Sequence, residues 1–541
     1  MKSIRTSCLW ALAAAAGLVY GQPVITNVQN AASNIAAGLP NAGIAQGSIF
    51  VMKGSNLGPG TLSIAQSAFQ NTNLSGTSVS VTVNGTTVAP PLYYTSAPQV
   101  AALLPSNTPV GTGTITVTYN GQVGLAAPIT VVANNLGIFT ITSDGQGVGI
   151  VTYPDYSLVS VTKAANCGGP DTTCGAANPG DTLILWATGL GPVSNDADVG
   201  VAINIPLTVW LGGVQAAVTY QGRGCCIGED QINFVVPSNV PTGCAVPLAV
   251  QIGNEISNYT VMAVAQSGTR TCTATSTFFT SSEVQQITTS TGAFNIGSIS
   301  LSRQPNYNAQ DQVSGNTDTG KAKFQSVTVP AAVQPFIVSY LDNQPNGTCL
   351  VYNSLNGGNS GNYVNLVKTL NAGTGIQVTG PNGSQTIPTN AGEVTLSAAG
   401  TFLSPGAYTL TGTGGADVGS FTAPLTIPTP PTLTSPASIS VTRANGITLT
   451  WSGGAANYII QITGESATDN TSTNGASFGC YVAASAGTFT IPASVLLALP
   501  SGPFGGWGFA PYTPSGTFSA SGLNLGFFQM NYDTQINATL Q

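Results

Sequence analysis

A few short patterns in this sequence could do chemistry, and each dictates what it would need around it. Ser160-Val161-Thr162-Lys163 has the S-x-x-K form of a serine acylase. That chemistry needs a helix in an α/β fold. Here Val and Ser alternate as they do in a strand, so the match reads as chance. Gly145-x-Gly147-x-Gly149 is half of a phosphate-cradling loop, without the following helix or the later acid, and reads as a turn. Glu229-Asp230 could be an acid/base pair or hold calcium. Glycosidic work needs a partner carboxylate across a cleft, and eighteen scattered acids offer no obvious one. The pair therefore reads as part of a solvated loop. Asn195-Asp196-Ala197-Asp198 spaces its oxygens as calcium ligands are spaced, making Asp196 and Asp198 calcium candidates. It lacks the glycine turn and distal glutamate of an EF-hand, and a polar loop is the alternative. No other metal and no cofactor is expected.

The segment nominated as a ligand surface lies near residue 510. Phe504-Gly505-Gly506-Trp507-Gly508-Phe509-Ala510-Pro511-Tyr512 holds four aromatic rings among glycines too small to shield them. Exposed, Phe504, Trp507, Phe509 and Tyr512 could stack on sugar rings. The alternative is that they fill the core of the last domain. Trp186 and Trp210 fall on expected strands and read as core.

The chain has no histidine. That removes Ser-His-Asp and Cys-His catalysis and most catalytic zinc sites. Of nine cysteines, Cys8 lies in a segment expected to be removed, leaving an even number suited to disulfides outside the cytoplasm. Cys167 and Cys174 are expected to close a small loop. Among Cys225, Cys226, Cys244 and Cys272, the expected pairs are Cys226 with Cys244 and Cys225 with Cys272. Cys349 and Cys480 are left either to pair or to serve as small buried hydrophobes. A zinc reading of Cys225 and Cys226 lacks C-x-x-C spacing.

The elements that must position these residues are short strands. With only 5% charged residues but 42% hydrophobic, the chain has enough apolar surface to fold. Thr, Val, Ile and Tyr favour pleated surfaces, and 66 Gly and 34 Pro punctuate them. Its 541 residues suggest about three to five domains. Residues 1–21 read as a signal peptide: Lys2 and Arg5 precede an apolar run from Leu9 to Val19, with small residues before Gln22. That run is too short to span a membrane, and no later run is long enough. Formal charge is −7, or −9 without Lys2 and Arg5. No basic patch suits nucleic acid or anionic membrane.

The first half contains a repeat. Gly47-Ser48-Ile49-Phe50-Val51-Met52 leading to Leu57-Gly58-Pro59 matches Gly180-Asp181-Thr182-Leu183-Ile184-Leu185 leading to Leu190-Gly191-Pro192. Val79 to Gly85 corresponds to Leu207 to Gly213. Gln99 precedes Pro105, Pro109 and Gly111 as Gln231 precedes Pro237, Pro241 and Gly243. Val79–Val83 alternates as a half-buried strand, and Asn84-Gly85 and Asn120-Gly121 are hairpin turns. Short strands with turns every 8–12 residues indicate a β-sandwich.

In motif order, residues 23–266 resemble a family of exported bacterial proteins carrying the Solibacter uncharacterised C-terminal domain, which looks related to immunoglobulin-like IPT/TIG modules. The resemblance implies an immunoglobulin-like fold and export, and no established activity. The module usually lies near the C-terminus, whereas here it comes first.

The expected organisation is all-β, in tandem immunoglobulin-like sandwiches: 22–136, 137–268, a linker 269–290, a third domain 291–427, a Pro-rich linker 428–436, and a last domain 437–541. In the third, Phe336–Tyr340, Cys349–Tyr352 and Tyr408–Leu410 read as strands. In the last, Ile447–Trp451 and Tyr458–Ile462 resemble a fibronectin type III strand pair, and Ser494–Leu499 reads as one helical turn. The function expected is that of a secreted or cell-surface structural or adhesive protein without catalysis, its partner an extracellular glycan or protein. A carbohydrate-binding array is the alternative and a glycan-active enzyme the third reading.

Overall fold

The computed structural model describes residues 21–66, 71–161, 175–274, 292–307, 313–331, 333–354, 364–435, 438–456, 458–469, 474–502, 507–512 and 516–541. The expected signal peptide therefore lies outside the described residues. The fold is all-β, in tandem immunoglobulin-like sandwiches, with two five-residue α-helices among the described residues. Among them no helix is long and apolar enough to cross a membrane.

Unit 1 (strands between Val24 and Val132) packs a five-stranded sheet on a seven-stranded one. Strand Thr77–Val83 buries every second residue, so Val79, Val81 and Val83 meet Phe50, Met52, Ile115 and Val117 in one core. Its hairpin turns where expected: Asn84 and Gly85 have φ of 50° and 78°, the left-handed pair that matches strand twist. Unit 2 (Gly137–Val264) repeats the plan with Gly212 and Gly213 at 58° and 78°. Strand Val214–Arg223 pairs on one side with Asp230–Val235 and on the other with Thr208–Leu211, carrying the sheet from one layer to the other around its own core.

The C-terminal half departs from the expected boundaries. A single twelve-stranded sheet draws on both 291–427 and 437–541. Strand Phe294–Tyr307 runs parallel to Leu525–Tyr532, and Thr348–Tyr352 pairs with Gly475–Ala483. Two smaller sheets cover different parts of it. The strands between Gly375 and Ile427 enclose Ile299, Phe324, Phe421, Phe518 and Met530. The three-stranded sheet built on Ile447–Ser452 encloses Trp451, Ile460, Phe478, Trp507 and Phe509. The third and last domains are thus two cores sharing one sheet, not two separate sandwiches. Part of the expected linker 428–436 is also structural: Thr432–Leu433 pairs with Ile447–Ser452.

Two local expectations fare differently. Ser494–Leu499 largely coincides with helix Ala493–Leu497. Phe336–Tyr340 is not a strand: a 3₁₀ turn Gln334–Phe336 runs into helix Ile337–Leu341. Pro335 has no N–H for a ladder and suits a helix start, and the helix buries Ile337 and Val338 with Ala263 and Cys244 of unit 2.

Candidate functional site

Three places among the described residues bear on the candidate sites. The first is the junction of units 1 and 2. Arg223 and Asp230 face each other at the base of the hairpin joining Val214–Arg223 to Asp230–Val235. Both are buried, at 1% and 0% exposure, and they form an ion pair. Asp230 also accepts the backbone N–H groups of Gly189 (2.6 Å) and Leu190 (2.7 Å). Arg223 donates to the carbonyls of Gly191 (2.8 Å) and, across the junction, Gly47 (2.9 Å). Burial pushes the Asp230 carboxyl up to about 6, against the opposing pull of Arg223 and the two N–H donors. The expected solvated loop is therefore wrong for Asp230. Sequence reasoning also missed Arg223, though its place across an eight-residue hairpin from an acid, in a chain with 11 basic residues, was a usable signal.

Asp196 belongs to the same junction. Its carboxylate accepts the N–H (3.0 Å) and hydroxyl (2.5 Å) of Ser106 in unit 1, and that hydroxyl accepts the N–H of Val193 (3.0 Å). Asp198 instead accepts the Asn195 side-chain amide at 2.8 Å. The two calcium candidates thus serve different partners.

The second place is the tip of the Arg223–Asp230 hairpin. Cys225 and Cys226 are free and exposed, which overturns both expected pairings with Cys244 and Cys272. Those two are bonded to each other, because the hairpin tip carries Cys225 and Cys226 away while the chain after Val264 returns past Cys244. Cys349 and Cys480 form a second disulfide, directly opposite on paired strands. Cys167 and Cys174 lie outside the described residues. The Cys225 Sγ is 3.0 Å from the Cys226 Sγ and 3.6 Å from Glu229 Oε2. Burial raises the Glu229 carboxyl. The hydrogen bond with Cys225 leads the effects that push the Cys226 thiol up to about 12. Beside this tip lies a cavity of about 360 Å³ between the units, lined by Tyr93, Tyr94, Phe139, Trp186 and Ile227 among others.

The third place is a trough of about 650 Å³ on the outer face of the twelve-stranded sheet. In strand Ile459–Ala467, Gln461, Thr463 and Glu465 face it while Ile460 and Ile462 face the core. Neighbouring strands add Ser477, Tyr481, Tyr352, Gly479, Gly508 and Ala510, with Asp533 at one side. A side chain at Gly479 would meet only the end of Gln461, so the floor there is open. Gln461 donates to the Tyr481 hydroxyl at 3.0 Å, and burial raises the Asp533 carboxyl. The lining has aromatic rings, amides, hydroxyls and carboxylates, and no Lys or Arg.

This trough corrects the ligand surface expected near 510. Strand Trp507–Tyr512 does line it, through Gly508 and Ala510 together with the nearly buried Trp507. Trp507 and Phe509 point the other way and are each 1% exposed, packed against Phe478 and Trp451. Period-2 alternation forces this: rings at 507 and 509 share a face, and the residue between them takes the other. Phe504 and the Tyr512 side chain lie outside the described residues.

The remaining motifs are structural. Ser160 is buried, and its N–H donates to the Gly175 carbonyl; Lys163 lies outside the described residues. The Gly145–Gly149 turn receives Tyr340: a side chain at Gly147 (φ 73°) would run into that ring. Trp186 is buried with its N–H on the Thr152 hydroxyl, whereas Trp210 is half-buried.

No family model matches the sequence, and no curated protein matches it. Among solved structures it is similar to domains 5–6 of the S-layer protein SbsC (14% identity, 45% of this chain and 99% of that one, TM-score 0.16). Immunoglobulin domains 1–5 of Sidekick-1 match at 10% identity over 96% and 98% of the two chains, with a TM-score of 0.12. Titin domains A168–A170 match at 9% identity over 96% and 99%, also at 0.12. No activity or partner passes from these proteins to this chain, and its sandwich architecture rests on the strand pairing described above.

Proposed function

We propose that the chain is an exported, non-catalytic structural or adhesive protein, displayed at the cell surface or released, whose units form one stiff array. The observation that carries this is the buried junction between units 1 and 2. Arg223 crosses it to Gly47, Asn30 reaches Asn135 and Thr188 at 3.1 Å, and Ile227 packs on Ile49 and Leu103. Unit 2 is similarly fixed to the C-terminal half, since its Ile256 and Tyr259 enter the core around Trp451. Freely hinged domains bury little between them. The two disulfides among the described residues and the low charge fit an oxidising exterior. The motif order of residues 23–266 supports placing that region with the Solibacter-type exported modules.

Small-angle scattering of residues 22–541 tests the array. A single rigid profile is expected, and a profile that needs freely rotating units rejects it. Export is checked separately by the mature N-terminus, expected at Gln22.

A second reading is favoured by the trough. Its rings, amides and carboxylates, with no cation, suit an uncharged glycan better than an anionic one. A glycan array with the full chain should give neutral oligosaccharide signals that fall at least tenfold in Tyr481→Ala and Gly479→Trp. Unchanged signals in both variants reject the trough as the site.

A further inference from the structure

We propose that Cys225 and Cys226 join to each other as a disulfide between adjacent residues, and that this small ring locks the wedge holding unit 2 against unit 1. The other four described cysteines are all in disulfides, so the chain is built for an oxidising setting. Among the described residues only this pair is free, with its two sulfurs already 3.0 Å apart and exposed.

The loop that carries them is held at every other point. Arg223 and Asp230 close its base. Gly224 donates to the Glu229 carbonyl at 2.8 Å and Glu229 to the Cys226 carbonyl at 3.1 Å. The Gly228 carbonyl accepts the Thr188 hydroxyl at 2.6 Å, and Thr188 in turn accepts the N–H of Ile49 in unit 1 at 2.9 Å. Ile227 is sunk between Ile49 and Leu103. Gly228 has φ 74°, with Leu103 pressed where a side chain would begin. A loop so fixed has already lost the freedom that bringing two thiols together would otherwise cost.

Closure is a thiol–disulfide exchange with an external disulfide, either of low molecular weight or on a protein oxidase. One cysteine thiolate attacks a sulfur of that disulfide, forming a mixed disulfide and expelling one thiolate. The second cysteine sulfur attacks the first, forming the Cys225–Cys226 bond and expelling the other thiolate. Both cysteine protons end on the two departing thiols. The pair is oxidised by two electrons and the external disulfide is reduced to two thiols.

A soft metal ion fits less well. Two thiolates bound to tetrahedral zinc at about 2.3 Å stand roughly 3.8 Å apart, wider than this pair. Adjacent Cα atoms are also only about 3.8 Å apart, below the usual span of at least about 4.4 Å for a disulfide, so the ring is strained and readily reduced. It should therefore open before Cys244–Cys272, whose cysteines are buried. The consequence for the junction rests on the stiff-array reading; the ring chemistry does not.

The test uses the full chain prepared without reductant, alkylated first in native buffer and then in denaturant, followed by peptide mass spectrometry. The expected peptide is unlabelled at both cysteines and lighter by two hydrogens. Graded dithiothreitol should open it at a concentration roughly tenfold below that needed for Cys244–Cys272. Label on both cysteines of the untreated chain overturns the proposal. So does a bound stoichiometric metal protecting both thiols, or a bond from either cysteine to a third. In the double variant Cys225→Ser/Cys226→Ser, amide exchange should quicken several-fold in Ile49–Ser55 and Gln99–Leu103 and stay unchanged in Gly406–Gly412. Unchanged exchange throughout overturns the locking role. A closed ring in a chain that scatters as freely hinged would sink the array reading alone.

Discussion

The front and back halves of this molecule solve one packing problem in two ways. Units 1 and 2 each close a core from one continuous stretch: Ile44 to Val131 in the first, Leu136 to Val264 in the second. In the back half neither core is continuous. One contains both Ile299 and Tyr532, the other both Cys349 and Leu540. A unit that closes on itself can be cut out and keep its interior. Two cores on one sheet cannot be separated without exposing both. Modularity here is therefore a property of the connections, since strand chemistry is much the same throughout.

The sharpest way to break this comparison is to divide the chain. Residues 22–136 alone should melt cooperatively by circular dichroism. Residues 291–427 alone should show no cooperative transition, because they lack Leu525–Tyr532 beside Phe294–Tyr307. A cooperative melt of 291–427 would end the shared-sheet account.

Disulfide removal comes next. Cys349–Cys480 closes a span of 131 residues and Cys244–Cys272 one of 28. By loop entropy the first should stabilise by about 5 kcal/mol and the second by about 3.6 kcal/mol. Denaturant melts of the two paired Cys→Ala variants should preserve that order.

Within the front half, Arg223→Met leaves Asp230 buried without its partner and should cost about 3–5 kcal/mol. The pH sign follows from the raised carboxyl. Its stabilisation is complete below the unfolded value of 3.8 and is lost as pH rises through about 6. Removing the guanidinium lifts the carboxyl further, so the penalty should be smaller at pH 5 than at pH 8. Equal penalties would reject the assignment. Asp196→Ala should be the mildest, about 1 kcal/mol, confined to the junction and read by amide exchange near Ser106.

What the sequence disclosed follows the same division. Asn84-Gly85 and Gly212-Gly213 announce hairpins because the left-handed turn is a local demand that few residues meet. The partner of Phe294–Tyr307 is invisible because parallel pairing leaves no mark on either strand alone. Near 510 the density of rings suggests an exposed surface, whereas the alternation of Trp507 and Phe509 with Gly508 and Ala510 puts both rings on one buried face. The burial of Asp230 is not legible locally, because it depends on Arg223, its partner across the strand pair. Phe336–Tyr340 looked strand-like by composition, while Pro335 beside it argued against a ladder. Cys244–Cys272 needed knowledge of where the chain turns back, which no spacing supplies.

The parallel alignment of Phe294–Tyr307 with Leu525–Tyr532 also sets a timetable. Asn295 and Asn524, bonded side by side, are 229 residues apart. At ribosomal speeds of about 5–20 residues per second, the earlier ribbon waits on the order of 10–50 seconds for its mate. Throughout that interval one flank of a long hairpin stands open to adhesion by other nascent chains. The middle of the chain is thus exposed until its partner strand arrives, whereas the core of unit 1 is complete once Val131 has been made.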